Sequence, residues 1–229
     1  MDAIVAAHKA YYGDEFTRST AENYLDMSSS FIRKSFGRST SACGFTVNGT
    51  MPNDGIINPS YGTPTGYACD TATIADGDSI SYFFYQDTRY YSDMFAEFSS
   101  DNYTVSAGKK LKVNIKGYSL MEHGLSDIDT VRANYMTNLK DVDIYLYENG
   151  ELKKLATTDK KGNAKIKFTE EGEYTLVAVR SSGSEEEPTV VAYSKVTVTA
   201  KKDLFIVRMF KAVYNFIVKV INKIFDGMC

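Results

Sequence analysis

The chain of 229 residues contains no tryptophan, two histidines, three cysteines and four prolines. Each scarcity removes something. With only His8 and His123, there is little material for imidazole acid–base chemistry. No CxxC and no Cys/His cluster occurs, so no ligand set for structural zinc is present. GxSxG, GxGxxG and a phosphate-binding loop are also missing. No cofactor is expected. A net charge of −3 offers no basic field for a nucleic-acid partner. What is present, 43% hydrophobic and 24% charged residues, is ordinary globular usage. It excludes a largely disordered chain, a collagen-like repeat and a disulfide-dense miniprotein.

The mean charge hides a gradient. Residues 1–108 carry six basic and 13 acidic side chains, residues 109–202 carry 16 and 14, and residues 203–229 carry four and two. Nearly all lysines follow residue 108, and such a shift marks a domain boundary. Three cysteines, Cys43, Cys69 and Cys229, allow at most one internal bridge. A Cys43–Cys69 bridge would be worth about 3 kcal/mol through loop closure. The alternative is two thiols. No leader is visible, so the protein is either cytosolic or has lost one.

Along the chain, residues 2–12 predict a helix with Ile4, Ala7, His8 and Tyr11 on one face and Gly13 at its end. His8 on that inner face reads as a core imidazole. A short extended stretch is expected near residues 23–27. Runs at 31–36, 44–47 and 79–85 read as strands, the last bounded by Asp76-Gly77-Asp78 and Gln86-Asp87. Residues 48–70 form a long loop holding three of the four prolines. After residue 102, runs at 103–106, 111–115, 142–147, 152–157, 164–168, 174–179 and 190–198 read as strands, and Val113 and Ile115, Ile144 and Leu146, and Ile166 and Phe168 alternate with polar neighbours. Glu148-Asn149-Gly150 and residues 159–163 supply turns between them. That rhythm predicts a β-sandwich, interrupted by an insertion at 116–140 with a helical turn near 129–135.

Residues 203–225 carry the strongest periodicity. Arg208, Lys211, Asn215, Lys219, Asn222 and Lys223 trace one narrow polar stripe, and Phe205, Phe210, Phe216 and Phe225 lie among the apolar remainder. A spanning helix would place cations in hydrocarbon at about 2.5–3.5 kcal/mol each. The expected destinations are therefore a membrane surface, the protein's own sheet or a second copy.

Two resemblances extend this reading. The segments Met1-Asp2-Ala3-Ile4-Val5-Ala6-Ala7-His8, Tyr11-Tyr12-Gly13, Gly44-Phe45-Thr46-Val47-Asn48-Gly49 and Ile74-Ala75-Asp76-Gly77-Asp78-Ser79-Ile80 resemble the transcobalamin C-terminal-like family of soluble-ligand-binding β-grasp domains. That family begins with a strand before the helix, so the resemblance implies a processed or trimmed start. A corrinoid ligand is not expected, because transcobalamin encloses it with a helical domain that has no counterpart in this sequence. Ala156-Thr157-Thr158-Asp159-Lys160-Lys161-Gly162-Asn163, Ile166-Lys167-Phe168 and Gly172-Glu173-Tyr174-Thr175-Leu176 resemble bacterial immunoglobulin-like modules of the carboxypeptidase-regulatory kind. Some relatives form a Lys–Asn isopeptide; the last strand here offers no Asn, and none is predicted. The resemblance implies a secreted or surface protein of a gut bacterium.

The expected fold is mostly β. Residues 1–100 form a β-grasp-like α+β domain, residues 101–200 an immunoglobulin-like sandwich, and residues 201–229 an amphipathic helix. The candidate ligand-binding residues are Tyr61, Tyr67, Tyr90 and Tyr91, loop tyrosines offering amphipathic contact area; the competing use is core filling. Asp70, Asp76, Asp78, Asp87 and Asp93 are close in sequence but match no EF-hand spacing. The expected function is a non-enzymatic binding or adhesion module for a protein or glycan. The alternatives are a structural stalk and a hydrolase with an unrecognised site. Deleting residues 203–229 is expected to lower liposome binding or break an oligomer. A truncated protein that sediments like its parent, with neither binding lipid, would make the segment an ordinary core element.

Overall fold

The computed structural model describes residues 2–28, 31–39, 42–180 and 187–200. The helix expected at 203–225, with Phe205, Arg208, Phe210, Lys211, Phe216, Lys219, Lys223 and Phe225, lies outside the described residues, as does Cys229. The described chain is mostly β, as the alternating runs predict.

Helix α1 (Asp2–Tyr12) opens it, and Gly13 at φ +56° takes the left-handed conformation that ends a helix. Ile4, Val5 and Tyr12 pack on a small cluster of Phe16, Leu25 and Ile32. The stretch expected to be extended at 23–27 is divided: helix α2 (Ala21–Tyr24) precedes strand β1 (Asp26–Ser28). β1, β2 (Phe31–Ser35) and β3 (Arg38–Ser39) form a three-stranded antiparallel sheet. β4 (Cys43–Val47) and β5 (Ile80–Phe84) pair antiparallel as a separate ribbon.

The remaining strands build the sandwich. They are β6 (Met94–Phe98), β7 (Asn102–Ser106) and β8 (Lys110–Ser119). Helices α3 (Leu120–His123) and α4 (Ile128–Asn134) follow, then β9 (Thr137–Asn138), β10 (Asp143–Glu148) and β11 (Glu151–Thr157). β12 (Asn163–Lys167), β13 (Gly172–Val179), β14 (Thr189–Val190) and β15 (Ala192–Thr199) complete it. One five-stranded sheet has the order β11-β10-β13-β15-β7, and the other has β12-β8-β6-β14 with β9 beside β8. Val113, Ile115, Ile144, Ile166, Leu176 and Val196 alternate inward from both sheets into one shared core. Asn149 (φ +52°) and Gly150 (φ +83°) make the tight turn of the β10–β11 hairpin, the backbone for which Asn-Gly is suited.

Three features depart from the sequence reading. β6 falls before the composition break yet hydrogen-bonds with β8 in the sandwich. β8 continues to Ser119, beyond the run at 111–115, because Tyr118 is buried on the side facing the ribbon. The run at 190–198 splits around Val191, since β14 pairs with β6 and β15 pairs with β7 in the opposite sheet.

The ribbon is the wall between two apolar clusters. Successive strand residues point to opposite faces. Tyr82 packs toward α1 and Ile32, whereas Phe83 enters a cluster with Phe95, Tyr118, Leu120, Val131 and Val190. Gly44 stands opposite Phe83, and a Cβ there would lie 2.7 Å from the Phe83 ring. The sandwich grips the ribbon's end through Tyr118, whose hydroxyl donates to the Gly49 carbonyl at 2.6 Å. Replacing Tyr118 with Phe strands that buried carbonyl and is expected to cost about 1–3 kcal/mol of stability. Urea unfolding checks this, and an unchanged midpoint would contradict it.

Candidate functional site

Two of the motifs that carried the β-grasp resemblance, at residues 44–49 and 74–80, meet in space. The Asn48 amide donates to Asp78 Oδ1 at 2.7 Å, and its Oδ1 accepts the Ser79 N–H at 2.9 Å. Asp78 Oδ2 accepts the Ala75 N–H at 2.7 Å. These two donors hold the Asp78 carboxyl below its ordinary range. The two ends of the β4–β5 connection are thus locked, and Asn48 and Gly49 at positive φ begin the long loop.

That loop braces itself. The Tyr67 N–H donates to the Pro52 carbonyl, the Asp54 N–H to Thr65 and the Asn58 N–H to Thr63, all within 3.1 Å. Asp54 Oδ1 also accepts from the Ile56 and Thr65 amides, and Asn58 Oδ1 from Ser60. Its base is fixed to the sandwich insertion, where Met51 N–H donates to Gly124 at 2.7 Å and the Asn53 amide to Leu125 at 2.9 Å. At its tip the loop leaves Ile56, Ile57 and Tyr61 70%, 59% and 80% exposed. The tyrosine was singled out from sequence; the two isoleucines were not. The turn signals Asn53-Asp54-Gly55 and Asn58-Pro59-Ser60 around them could have shown that no core segment passes there.

The other candidate tyrosines separate into two places. Tyr67 and Tyr85 line one cavity of about 270 Å³ beneath the loop, together with Cys43, Cys69, Met51 and Leu125. Tyr91 packs edge-on against Tyr85 at 5.0 Å, which ties it to that wall. Tyr90 instead lies under the Arg89 guanidinium at 4.9 Å. A second cavity of about 300 Å³ lies between α1 and the ribbon, walled by Ile4, Ala7, Ile32, Phe45, Ile80 and Tyr82. Cys43 and Cys69 are half-buried thiols in this structure and lie in the same apolar cluster.

The histidines are engaged structurally. His8 is buried, as its place on the inner helix face predicts. Its Nδ1 is 2.7 Å from the Ile4 carbonyl and its Nε2 accepts the Phe36 N–H at 2.8 Å, so the first nitrogen is the donor. His123 stacks on Tyr135 at 3.7 Å, beside Glu122. Among the described residues no group of three His, Cys, Asp or Glu side chains is placed to hold a metal ion. No helix of these residues is long and apolar enough to cross a membrane.

No family model matches the chain, and no curated protein matches it. A chain of a solved structure described as "Structural basis of T cell specificity and activation by the bacterial superantigen toxic shock syndrome toxin-1" is similar at 12% identity and a TM-score of 0.29. The match covers 46% of this chain and 99% of that one. A likeness that weak carries no argument about fold or activity.

The aspartates of the 86–93 loop serve its backbone. Asp93 accepts the Gln86 and Asp87 amides, both at 3.0 Å. Asp87 is itself buried, which favours the neutral acid. The Tyr90 N–H, the Ser92 hydroxyl and N–H, and the Arg89 N–H outweigh this and hold its carboxyl at about 2. The folded value lies below the ordinary one of about 3.9. Its contribution is therefore complete above that value and is lost as pH falls toward about 2. Acid unfolding followed by circular dichroism is expected to show a limb in this window that flattens in Asp87→Asn. An identical acid limb in the variant would sink the assignment.

Proposed function

We propose that this chain is a non-enzymatic binding module, secreted or carried on a bacterial surface, that engages its partner with the loop of residues 48–70. One observation carries the reading: a loop braced by its own hydrogen bonds holds three large apolar side chains out in water. Ordering a loop on binding costs free energy, and a loop already ordered avoids that cost. Exposed aliphatic and aromatic groups on a fixed scaffold are what a protein–protein contact uses at its centre. A protein surface is favoured over a glycan, since two of the three tip residues are isoleucines with no planar face for a sugar ring.

We read the first unit as β-grasp-like and the second as immunoglobulin-like. A helix packed on a strand ribbon supports the former, and two sheets around one core support the latter. The sandwich also favours a second role, that of spacer. β15 runs from Ala192, at the end of the sandwich near β6 and the ribbon, to Thr199 at the far end beside Ser106. Eight extended residues span roughly 25 Å.

The test is an array of purified proteins and glycans, probed with the parent chain and with a variant carrying Ile56→Ser, Ile57→Ser and Tyr61→Ala. The expected result is a specific hit that weakens at least about tenfold in the variant, the scale of losing central contacts. A hit indifferent to the substitutions would move the site elsewhere. Silence across the array with an elongated scattering profile would favour the spacer.

A further inference from the structure

Cys43 opens β4 and Cys69 follows the braced base of the long loop. They are 26 residues apart in sequence. The fold nevertheless brings both into the cluster of Phe16, Leu25 and Ile32, and both onto the wall of the cavity beneath the loop. The Cys43 Sγ–H has a weak acceptor, the Ile32 carbonyl at 3.6 Å. Burial together with the neighbouring Cys43 thiol pushes the Tyr82 hydroxyl up.

We propose that Cys43 and Cys69 are an oxidisable pair, and that their disulfide ties the end of the loop to the head of β4 across the wall of this cavity. The step is a thiol–disulfide exchange with a small-molecule disulfide. One cysteine thiolate attacks that disulfide and releases one small thiol. The second cysteine thiolate then displaces the other, forming the S–S bond. The two cysteines lose two protons and two electrons in all, and the small disulfide is reduced to two thiols. Burial and the Asp70 carboxylate push the Cys69 thiol up, so exchange at neutral pH is slow. The bridge would enclose β4 and the whole recognition loop in one covalent ring. The inference does not depend on what that loop binds.

The experiment uses the full chain, folded, incubated with oxidised glutathione. Thiols are then counted under denaturing conditions, and the non-reduced peptides are mapped by mass spectrometry. The expected result is the loss of two of three thiols and a linked peptide pair containing Cys43 and Cys69. The same linkage is expected in Cys229→Ser and not in Cys69→Ser. The bridged protein is expected to unfold at a temperature higher by roughly 6–12 °C, the shift for closing a loop of this length in a chain of this size. Three surviving thiols, bridges to Cys229, glutathione adducts without a link, or a bridged form that unfolds no later would each overturn the proposal. The thiol count and map on the parent chain decide the question even if a serine variant does not fold.

Discussion

The structure depends on a two-stranded ribbon that meets apolar partners on both sides. In an antiparallel pair standing alone, one side packs and the other meets water. Here β5 sends Tyr82 to the helix side and Phe83 to the sandwich side, and each joins an apolar cluster. A shift of one residue would exchange the two sets of side chains and empty both clusters. Register is therefore fixed from both sides, with Gly44 as the place where the Phe83 ring comes closest to the partner strand. The cluster on the helix side is small, with Phe16, Leu25 and Ile32 at its centre.

This dependence explains which parts of the fold were legible. Sandwich strands such as β8, β10, β12 and β15 could be read because one face of each lies in a large core, which writes period-2 alternation into the sequence. Ile144 and Leu146 inward with Tyr145 and Tyr147 outward is an example. Helix α1 lies where the sequence places it, but its packed residues are Ile4, Val5, His8 and Tyr12, not the expected Ile4, Ala7, His8 and Tyr11: Ala7 is exposed and Tyr11 is 73% exposed. β6 was not legible, because Met94, Phe95, Ala96 and Phe98 are all at least partly buried and show no alternation. Phe95 faces the ribbon and Phe98 the sandwich core, so two partners erase the pattern that a single one would leave. The same conflict hid the continuation of β8, where Tyr118 serves the ribbon and Ile115 the core.

The candidate site was half legible for a related reason. Turn residues in 48–70 show that the segment is a loop, but composition cannot say whether its apolar residues fold back or stand out. Tyr67 folds back into a cavity wall and Tyr61 does not, although both sit in the same polar context. What decides is the location of the hydrogen-bond braces. The Tyr67 amide is held to Pro52 at the base of the loop, while Tyr61 lies in the turn that Asn58 closes at the tip. The Tyr67–Pro52 pairing spans 15 residues, and no short window of sequence displays it.

The clustered aspartates show the same economy of local chemistry. Five of them within 24 residues look like a cation site when only spacing is considered. In the folded chain Asp78, Asp87 and Asp93 each accept two or more hydrogen bonds from nearby groups, most of them backbone amides. A carboxylate committed to backbone amides has fewer lone pairs left for a cation, and moving it would unlace the turn it holds. Their placement follows from the architecture. A ribbon packed between two apolar clusters needs its connecting segments rigid, and short acidic side chains can satisfy turn amides without adding apolar bulk. The result is a frame in which the polar side chains hold the loops, the interior is left to apolar contacts, and the large apolar groups at the tip of residues 48–70 are displayed rather than buried.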